Sequence, residues 1–186
     1  MGKLILILGG ARSGKSTYAM ELAGSSRKVA YIATAAPADD PEMKQRIEEH
    51  KKIRPFHWLI VEEPLNIDKS LVDLEKKVEV AIIDCITLLL TNWLLRGVTK
   101  IENLEIKDYL DKEESILEMV KNLARIAKKT ALTVMVVSNE VGMGIHPENR
   151  LGRYFRDMAG RANRILAEPA DEVYFMTAGI PLKIKG

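Results

Sequence analysis

A run of five apolar residues, Leu4 to Leu8, leads without a break into Gly9-Gly10-Ala11-Arg12-Ser13-Gly14-Lys15-Ser16. The run has the length and content of a buried strand, and Thr17 to Leu22 continues in helix-forming residues. Glycine, four residues, then Gly-Lys-Ser between a strand and a helix describes a loop whose backbone N–H groups converge on an anion. The following helix turns its positive end toward the same point. Lys15 brings an ammonium to the β- and γ-phosphates of a nucleotide, and Ser16 brings a hydroxyl to Mg²⁺. A helix cap accounts for one serine or one glycine in such a segment, but not for the whole spacing directly after a strand.

The rest of the chain repeats this alternation of apolar runs and helical patterns. Strands are expected at Lys28–Ala33, Trp58–Glu62, Val78–Asp84 and Ala131–Ser138. Helices are expected at Pro41–Lys52, Pro64–Lys77, Ile86–Leu95, Asp108–Lys129 and Glu148–Glu168, with Asp40 as cap of the first of these. Asp171–Met176, Ala178-Gly179 and Leu182–Ile184 read as a closing hairpin. This order predicts one α/β phosphate-loop domain over residues 1–186, with a mainly parallel sheet, helices on both faces and an antiparallel last strand. Gly97 to Lys107 is polar and aperiodic and reads as a surface excursion.

Composition narrows the partners. A net charge of +2 gives no basis for nucleic-acid binding or for a charged membrane surface. The stretch Ala81–Leu95 is broken by Asp84, Thr87, Thr91 and Asn92, so no membrane span is expected. The single cysteine, Cys85, leaves no internal disulfide, and no leader segment stands before the phosphate loop, so the cytoplasm is the expected compartment.

Two further features carry chemistry. Ala81-Ile82-Ile83-Asp84 ends an apolar strand in a carboxylate, which in a phosphate-loop protein holds Mg²⁺; the alternative is a cap on the next helix. Strand ends of such sheets gather ligands on one side, which brings Ala33, Thr34 and Ala35 toward the site. On the predicted helix from Pro41, Met43, Ile47, His50 and Arg54 fall on one face, with Arg46 and Lys51 close by. Cations around an imidazole keep it neutral, and a neutral imidazole can attack phosphorus. A packed or solvated histidine is the competing reading.

Several segments occur in a specific order: Gly9–Ser16; Tyr31-Ile32-Ala33-Thr34; Arg46-Ile47, His50-Lys51 and Pro55; Asn139-Glu140-Val141-Gly142-Met143-Gly144-Ile145; Pro147-Glu148-Asn149-Arg150; Phe155-Arg156-Asp157; and Ala159-Gly160. With these the chain resembles the bifunctional adenosylcobinamide kinase / adenosylcobinamide-phosphate guanylyltransferase family of cobalamin biosynthesis, over essentially its whole length. The resemblance implies a recombinase-like phosphate-loop fold and two reactions. ATP or GTP phosphorylates adenosylcobinamide; GTP then guanylylates a histidine, which passes GMP to adenosylcobinamide phosphate and yields adenosylcobinamide-GDP. It implies His50 as the nucleophile beside Lys15 as the second catalytic group. It places nucleotide on Gly9, Gly10, Ala11, Arg12, Ser13, Gly14, Lys15 and Ser16, on Ala33, Thr34 and Ala35, on Lys51, Lys52, Ile53 and Arg54, and on Glu62 and Asp84. Mg²⁺ falls to Ser16 and Asp84, and the assembly implied is a homotrimer. Some relatives carry a His-His pair where this chain has Glu49-His50, which leaves one candidate nucleophile.

Two residue sets stay open between roles. Glu140 suits ordering a metal, accepting a proton from the substrate hydroxyl, or capping the next turn. Arg150, Arg153, Tyr154, Asp157, Arg161 and Arg164 form a broad helical stripe, suited to phosphate recognition or to a solvated or intersubunit ion-pair face. His57 and His146 read as structural or loop residues, and Trp58 and Trp93 as core or interface aromatics. The rival functions are a kinase with one activity, in which His50 only binds, and a nucleotide-switched assembly protein that is not an enzyme.

Overall fold

The computed structural model describes residues 2–24, 28–36, 41–98 and 106–186; the side chains of Glu42, Met43, Arg46, His50 and Ile106 lie outside that description. The elements run β1 (Lys3–Gly9), α1 (Lys15–Ala23), β2 (Val29–Ala33), α2 (Pro41–Lys52), β3 (Leu59–Glu62), α3 (Ile67–Leu74), β4 (Val80–Asp84), α4 (Ile86–Leu95), α5 (Ile106–Lys129), β5 (Thr133–Asn139), α6 (Arg150–Ala167), β6 (Glu172–Thr177) and β7 (Ile180–Lys185). They build a seven-stranded sheet in the order β3-β2-β4-β5-β1-β6-β7. Every neighbouring pair is parallel except β6 with β7. The predicted α/β class, parallel sheet and antiparallel closing strand are all present.

The central strands read as continuous apolar runs because both their faces are covered. Alternate residues divide between two cores. Leu4, Leu6, Ile32, Ile83, Val134 and Val136 pack with the buried stripes of α3, α4, α5 and α6. Ile5, Ile7, Tyr31, Ile82, Met135 and Val137 face the other way, onto Ala19 and Ala23 of α1 and onto Trp58. A one-residue register slip in β1 would exchange these sets, so burial on both faces fixes the pairing.

Where strands or helices begin and end differs modestly from the sequence reading. The predicted helix Pro64–Lys77 is regular only over Ile67–Leu74, because Glu63 first bonds its carboxylate to the N–H groups of Leu65 and Asn66, forming a turn. The last long helix starts at Arg150 rather than Glu148, where Asn149 accepts from Gly152 N at 2.6 Å as an N-cap. The expected cap Asp40, and residues 99–105 of the expected surface excursion, lie outside the described residues. Among the described residues no helix is long and apolar enough to cross a membrane.

Candidate active site

Parallel pairing sets five strand ends beside one another along one edge of the sheet. Gly9 of β1 pairs with Asn139 of β5, Asp84 of β4 with Val137 of β5 and with Ala33 of β2, and Ala33 with Glu62 of β3. The predicted positions Gly9, Ala33, Glu62 and Asp84 therefore share that edge, although the sequence separates them by up to 75 residues, 84 minus 9. Strand β5 lies between the strand that feeds the phosphate loop and the strand that ends in Asp84.

The loop itself is built by backbone geometry. Gly9 has φ 151° and Gly14 φ 93°, and Arg12 adopts φ 57°, a conformation costly for a side-chain-bearing residue. A Cβ on Gly9 would stand 2.5 Å from the carbonyl oxygen of Met176 and 2.7 Å from Ser13 Oγ. No side chain caps α1, whose N-cap residue is Gly14. Behind the loop stands the β6–β7 turn: Gly179 N donates to Ser13 O at 3.1 Å, and the Cα of Gly179 would lie 3.3 Å from a Cβ on Gly14. The apolar patterning that revealed the hairpin carried no sign that it buttresses the loop.

Lys15 is buried and donates its ammonium to Gly10 O at 2.5 Å. Loss of solvent pushes its pKa down, while the nearby Cys85 and Asp84 groups oppose that shift. Ser16 is half-buried at the first turn of α1, and Ala11 and Arg12 are exposed at the tip of the loop. Thr34 is fully buried and serves as a clasp: its Oγ1 accepts from Cys85 N and donates to Cys85 O, both at 2.8 Å. Asn92 closes the same corner by donating to Thr34 O at 2.7 Å and Pro64 O at 3.0 Å. Ala35 follows, half-buried.

Asp84 has a partner that periodicity could not reveal. The hydroxyl of Tyr31 donates to Asp84 Oδ2. Tyr31 reads in the sequence as one more apolar strand residue, and its ring is indeed buried. Its pKa is pushed far up, first by burial and then by the Asp84 carboxylate, so it keeps its proton and remains a donor. The Arg54 guanidinium lies 4.1 Å from the Tyr31 ring centroid, in cation–π contact.

That contact corrects one expectation. Arg54 was expected on the face of the histidine helix, but α2 ends at Lys52 and the chain turns, so Arg54 points instead to Tyr31 on β2. Lys51, expected as a cation for His50, is held by Glu62 at 3.2 Å and Glu48 at 3.6 Å. These carboxylates raise its pKa, Glu62 foremost. The ion pair ties the last turn of α2 to the end of β3. His50 immediately precedes Lys51 in α2; its side chain, like that of Arg46, lies outside the described residues. Lys52 and Ile53 are exposed beside them.

The loop after β5 is tied to the same edge. Glu140 N donates to Gly9 O at 2.9 Å, and Glu140 Oε1 accepts from Gly142 N at 2.7 Å, so the carboxylate caps its own turn. Beneath it, Ser138 Oγ donates to Asn163 Oδ1 at 2.6 Å and Asn139 Nδ2 to Thr87 Oγ1 at 2.7 Å. The arginine stripe divides along α6. Arg153 donates to the carbonyls of Pro147 and Glu148, and Tyr154 stacks on Tyr109, whereas Arg161 pairs with Glu113 at 2.7 Å. His146 meets Arg156 at 2.8 Å, and Trp93 donates to Leu65 O at 3.1 Å.

The site pairs a lysine-bearing anion loop with a strand-end carboxylate. Among the described residues no group of three or more His, Cys, Asp or Glu gathers. One hydroxyl and one carboxylate is nonetheless the sparse donor set that suits Mg²⁺, which takes most of its remaining oxygens from phosphates and water. Ser16 and Asp84 fit it on those grounds.

Known proteins are similar to this chain over nearly its whole length. Residues 5–184 match the family model described as cobinamide kinase / cobinamide phosphate guanyltransferase. The chain is 43% identical over 183 residues to the bifunctional adenosylcobalamin biosynthesis protein CobU of Escherichia coli (strain K12), covering 98% of this chain and 99% of that one. It is 43% identical over 182 residues to the protein of the same name from Salmonella typhimurium (strain LT2), with the same coverage. The bifunctional adenosylcobalamin biosynthesis protein CobP of Pseudomonas aeruginosa (strain PAO1) is 41% identical over 183 residues, covering 97% of this chain and 96% of its own. With nearly every residue inside these matches and the phosphate loop, Thr34 clasp and Asp84 on one sheet edge, the chain belongs to the cobinamide kinase / cobinamide phosphate guanyltransferase family.

Proposed function

We propose that this protein phosphorylates adenosylcobinamide with ATP or GTP, then transfers GMP from GTP through His50 to adenosylcobinamide phosphate. The observation that carries the reading is a full-length match to a family of this activity in a chain whose Lys15 is buried in a glycine loop beside Asp84.

In the first reaction the substrate hydroxyl oxygen attacks the γ-phosphorus, its proton passes to solvent water, and the bond from that phosphorus to the β–γ bridging oxygen breaks. This chain's part is positioning and charge. The N–H groups at Gly9–Ser16 and the Lys15 ammonium hold the phosphates and neutralise the leaving oxygen. Ser16 and Asp84 would hold Mg²⁺, which would supply further neutralisation of phosphate charge. In the second reaction a His50 ring nitrogen attacks the α-phosphorus of GTP and pyrophosphate leaves. A phosphate oxygen of the acceptor then attacks the same phosphorus, and the nitrogen–phosphorus bond breaks. Ala33–Ala35, Lys51–Arg54 and Glu62 serve as the nucleotide's other contacts. The same reading carries a homotrimer acting in the cytoplasm, checked by light scattering in solution.

The deciding experiment incubates the protein with Mg²⁺ and GTP labelled on the α-phosphate, then denatures it. Acid-labile, alkali-stable label on the wild type and none on His50→Ala is the expected result. An unlabelled wild type that still binds nucleotide would leave a kinase with one activity and remove the guanylyl half of the proposal.

A further inference from the structure

We infer that a groove between α6 and the loop after β5 receives the phosphate of the acceptor, while the acceptor's apolar body lies on that loop. The inference rests on the function proposed above and locates a substrate for it. Guanylyl transfer brings two phosphate-bearing molecules together, so it needs a second anion site besides the loop at Gly9–Ser16.

The groove has a volume of about 380 Å³ and is lined by Gly142, Arg156, Asp157, Gly160, Arg161 and Arg164. That volume lies at the small end of ligand sites, enough for a phosphate and its linking arm but not for a macrocycle. Its charges do not cancel. Arg156 is paired with Asp157 at 2.9 Å and Arg161 with Glu113 at 2.7 Å, which leaves the Arg164 guanidinium in excess among the described residues. The two pairs also fix the neighbouring guanidinium planes, and Arg161 uses only Nη1 in its pair, so other N–H groups stay available for a phosphate oxygen.

Gly160 is the most telling residue. A glycine in the middle of an 18-residue helix disfavours that helix, and no atom lies within 4 Å of where its Cβ would be. Close packing against a neighbouring element therefore does not explain it. Its missing side chain opens the floor of the groove between Arg156 and Arg164, one helical turn away on either side.

The groove also adjoins both the active edge and an apolar surface. Its wall at Gly142 belongs to the turn that begins with the Glu140 N to Gly9 O bond, so it continues from the phosphate loop. The same loop exposes Val141, Met143 (79%) and Ile145 (97%) to solvent. An exposed apolar row beside an arginine groove suits a ligand that is apolar at one end and a phosphomonoester at the other.

The test uses the full-length protein and three variants: Gly160→Leu, Arg164→Ala and Arg164→Lys. For each, self-guanylylation by labelled GTP is measured without acceptor, then transfer to adenosylcobinamide phosphate with KM and kcat separated, alongside a thermal melt. We expect labelling within twofold of wild type in all three, and melting temperatures at or above wild type for Gly160→Leu. KM for the phosphorylated acceptor rises tenfold or more in Gly160→Leu and Arg164→Ala, with partial recovery in Arg164→Lys and a smaller rise for unphosphorylated adenosylcobinamide. Unchanged KM in both disruptive variants, with labelling intact, overturns the groove assignment alone. A wild type that takes no label, or hands none on, overturns the enzymatic reading and the assignment with it.

Discussion

Gly9→Ala and Gly10→Ala test the phosphate loop against each other, because adjacent glycines there answer to different causes. At Gly9 the new methyl would stand 2.5 Å from Met176 O and 2.7 Å from Ser13 Oγ, on a backbone with φ 151°. A side-chain-bearing residue held in that sparse region costs about 1–3 kcal/mol. Forcing a methyl against a neighbouring backbone adds about 1–3 kcal/mol. The expected loss is thus about 2–6 kcal/mol, and a chain of this size loses about 2–4 °C of melting temperature per kcal/mol. At Gly10 nothing lies within 4 Å of the added methyl, and its φ is outside the range reserved for glycine. The unfolded chain loses freedom, so Gly10→Ala is expected to keep or gain stability, by up to about 1 kcal/mol. If the open space beside Gly10 is where the loop backbone meets a phosphate, nucleotide affinity falls at least tenfold in Gly10→Ala. Thermal melts without nucleotide and titrations with a fluorescent GTP analogue read the two effects separately. A Gly9→Ala protein that melts like wild type would refute the loop geometry. A Gly10→Ala protein that melts and binds like wild type would refute the claim that the ligand approaches at that position.

Three further perturbations probe the supports of the site. Tyr31→Phe removes a hydrogen bond to a carboxylate; because Asp84 is only half-buried, water replaces part of it, and urea denaturation should show a loss of about 1–2 kcal/mol. A stability equal to wild type would mean that the Tyr31 hydroxyl does no structural work at Asp84. Asn163→Ala leaves the buried Ser138 hydroxyl without its acceptor and should cost about 2–3 kcal/mol in the same assay. Asp171 is held below its usual pKa of 3.8, first by its hydrogen bond to Lys128 and also by Leu4 N. Such a group stabilises the fold at pH values above 3.8 and ceases to do so as pH falls through its lower folded value, so Asp171→Asn should lower the melting temperature at neutral pH and narrow its gap to wild type under acid. A gap that widens on acidification would reverse the sign and refute this account.

The sequence made the sheet legible because burial on both faces forces continuous apolar runs, and the central strands of this sheet are so covered. The phosphate loop was legible for a different reason: its glycines answer to local backbone conformation, which sequence records directly. Asp84 was legible as a charge at the end of such a run. Tyr31 was not, since hydrophobic periodicity registers its ring and ignores its hydroxyl. Arg54 was placed on the helix face by extending helical spacing two residues past Lys52, where α2 ends, although Pro55 directly after it disfavours a helical conformation at Arg54. The buttress of the loop by Gly179 depends on a contact across 166 residues of chain, 179 minus 13, which no local pattern encodes. The arginine stripe on α6 was visible as a row, but only packing separates Arg153, spent on the helix cap, from Arg164 in the groove.

The placement of the residues suggests how one sheet edge serves two phosphate chemistries. The loop at Gly9–Ser16 is fixed by β1 and its backing hairpin, whereas His50 and Lys51–Arg54 hang from α2 between β2 and β3. Tyr31 of β2 lies between them: its hydroxyl donates to Asp84, whose carboxylate favours the charged form of Lys15, and its ring carries Arg54. The second anchor, Lys51 to Glu62, is exposed and therefore weak, of the order expected for surface ion pairs. Among the described residues, the α2 segment and the turn after it reach the sheet edge through the solvent-facing Lys51–Glu62 ion pair and the Arg54–Tyr31 contact, a light attachment that suits the transfer proposed for His50.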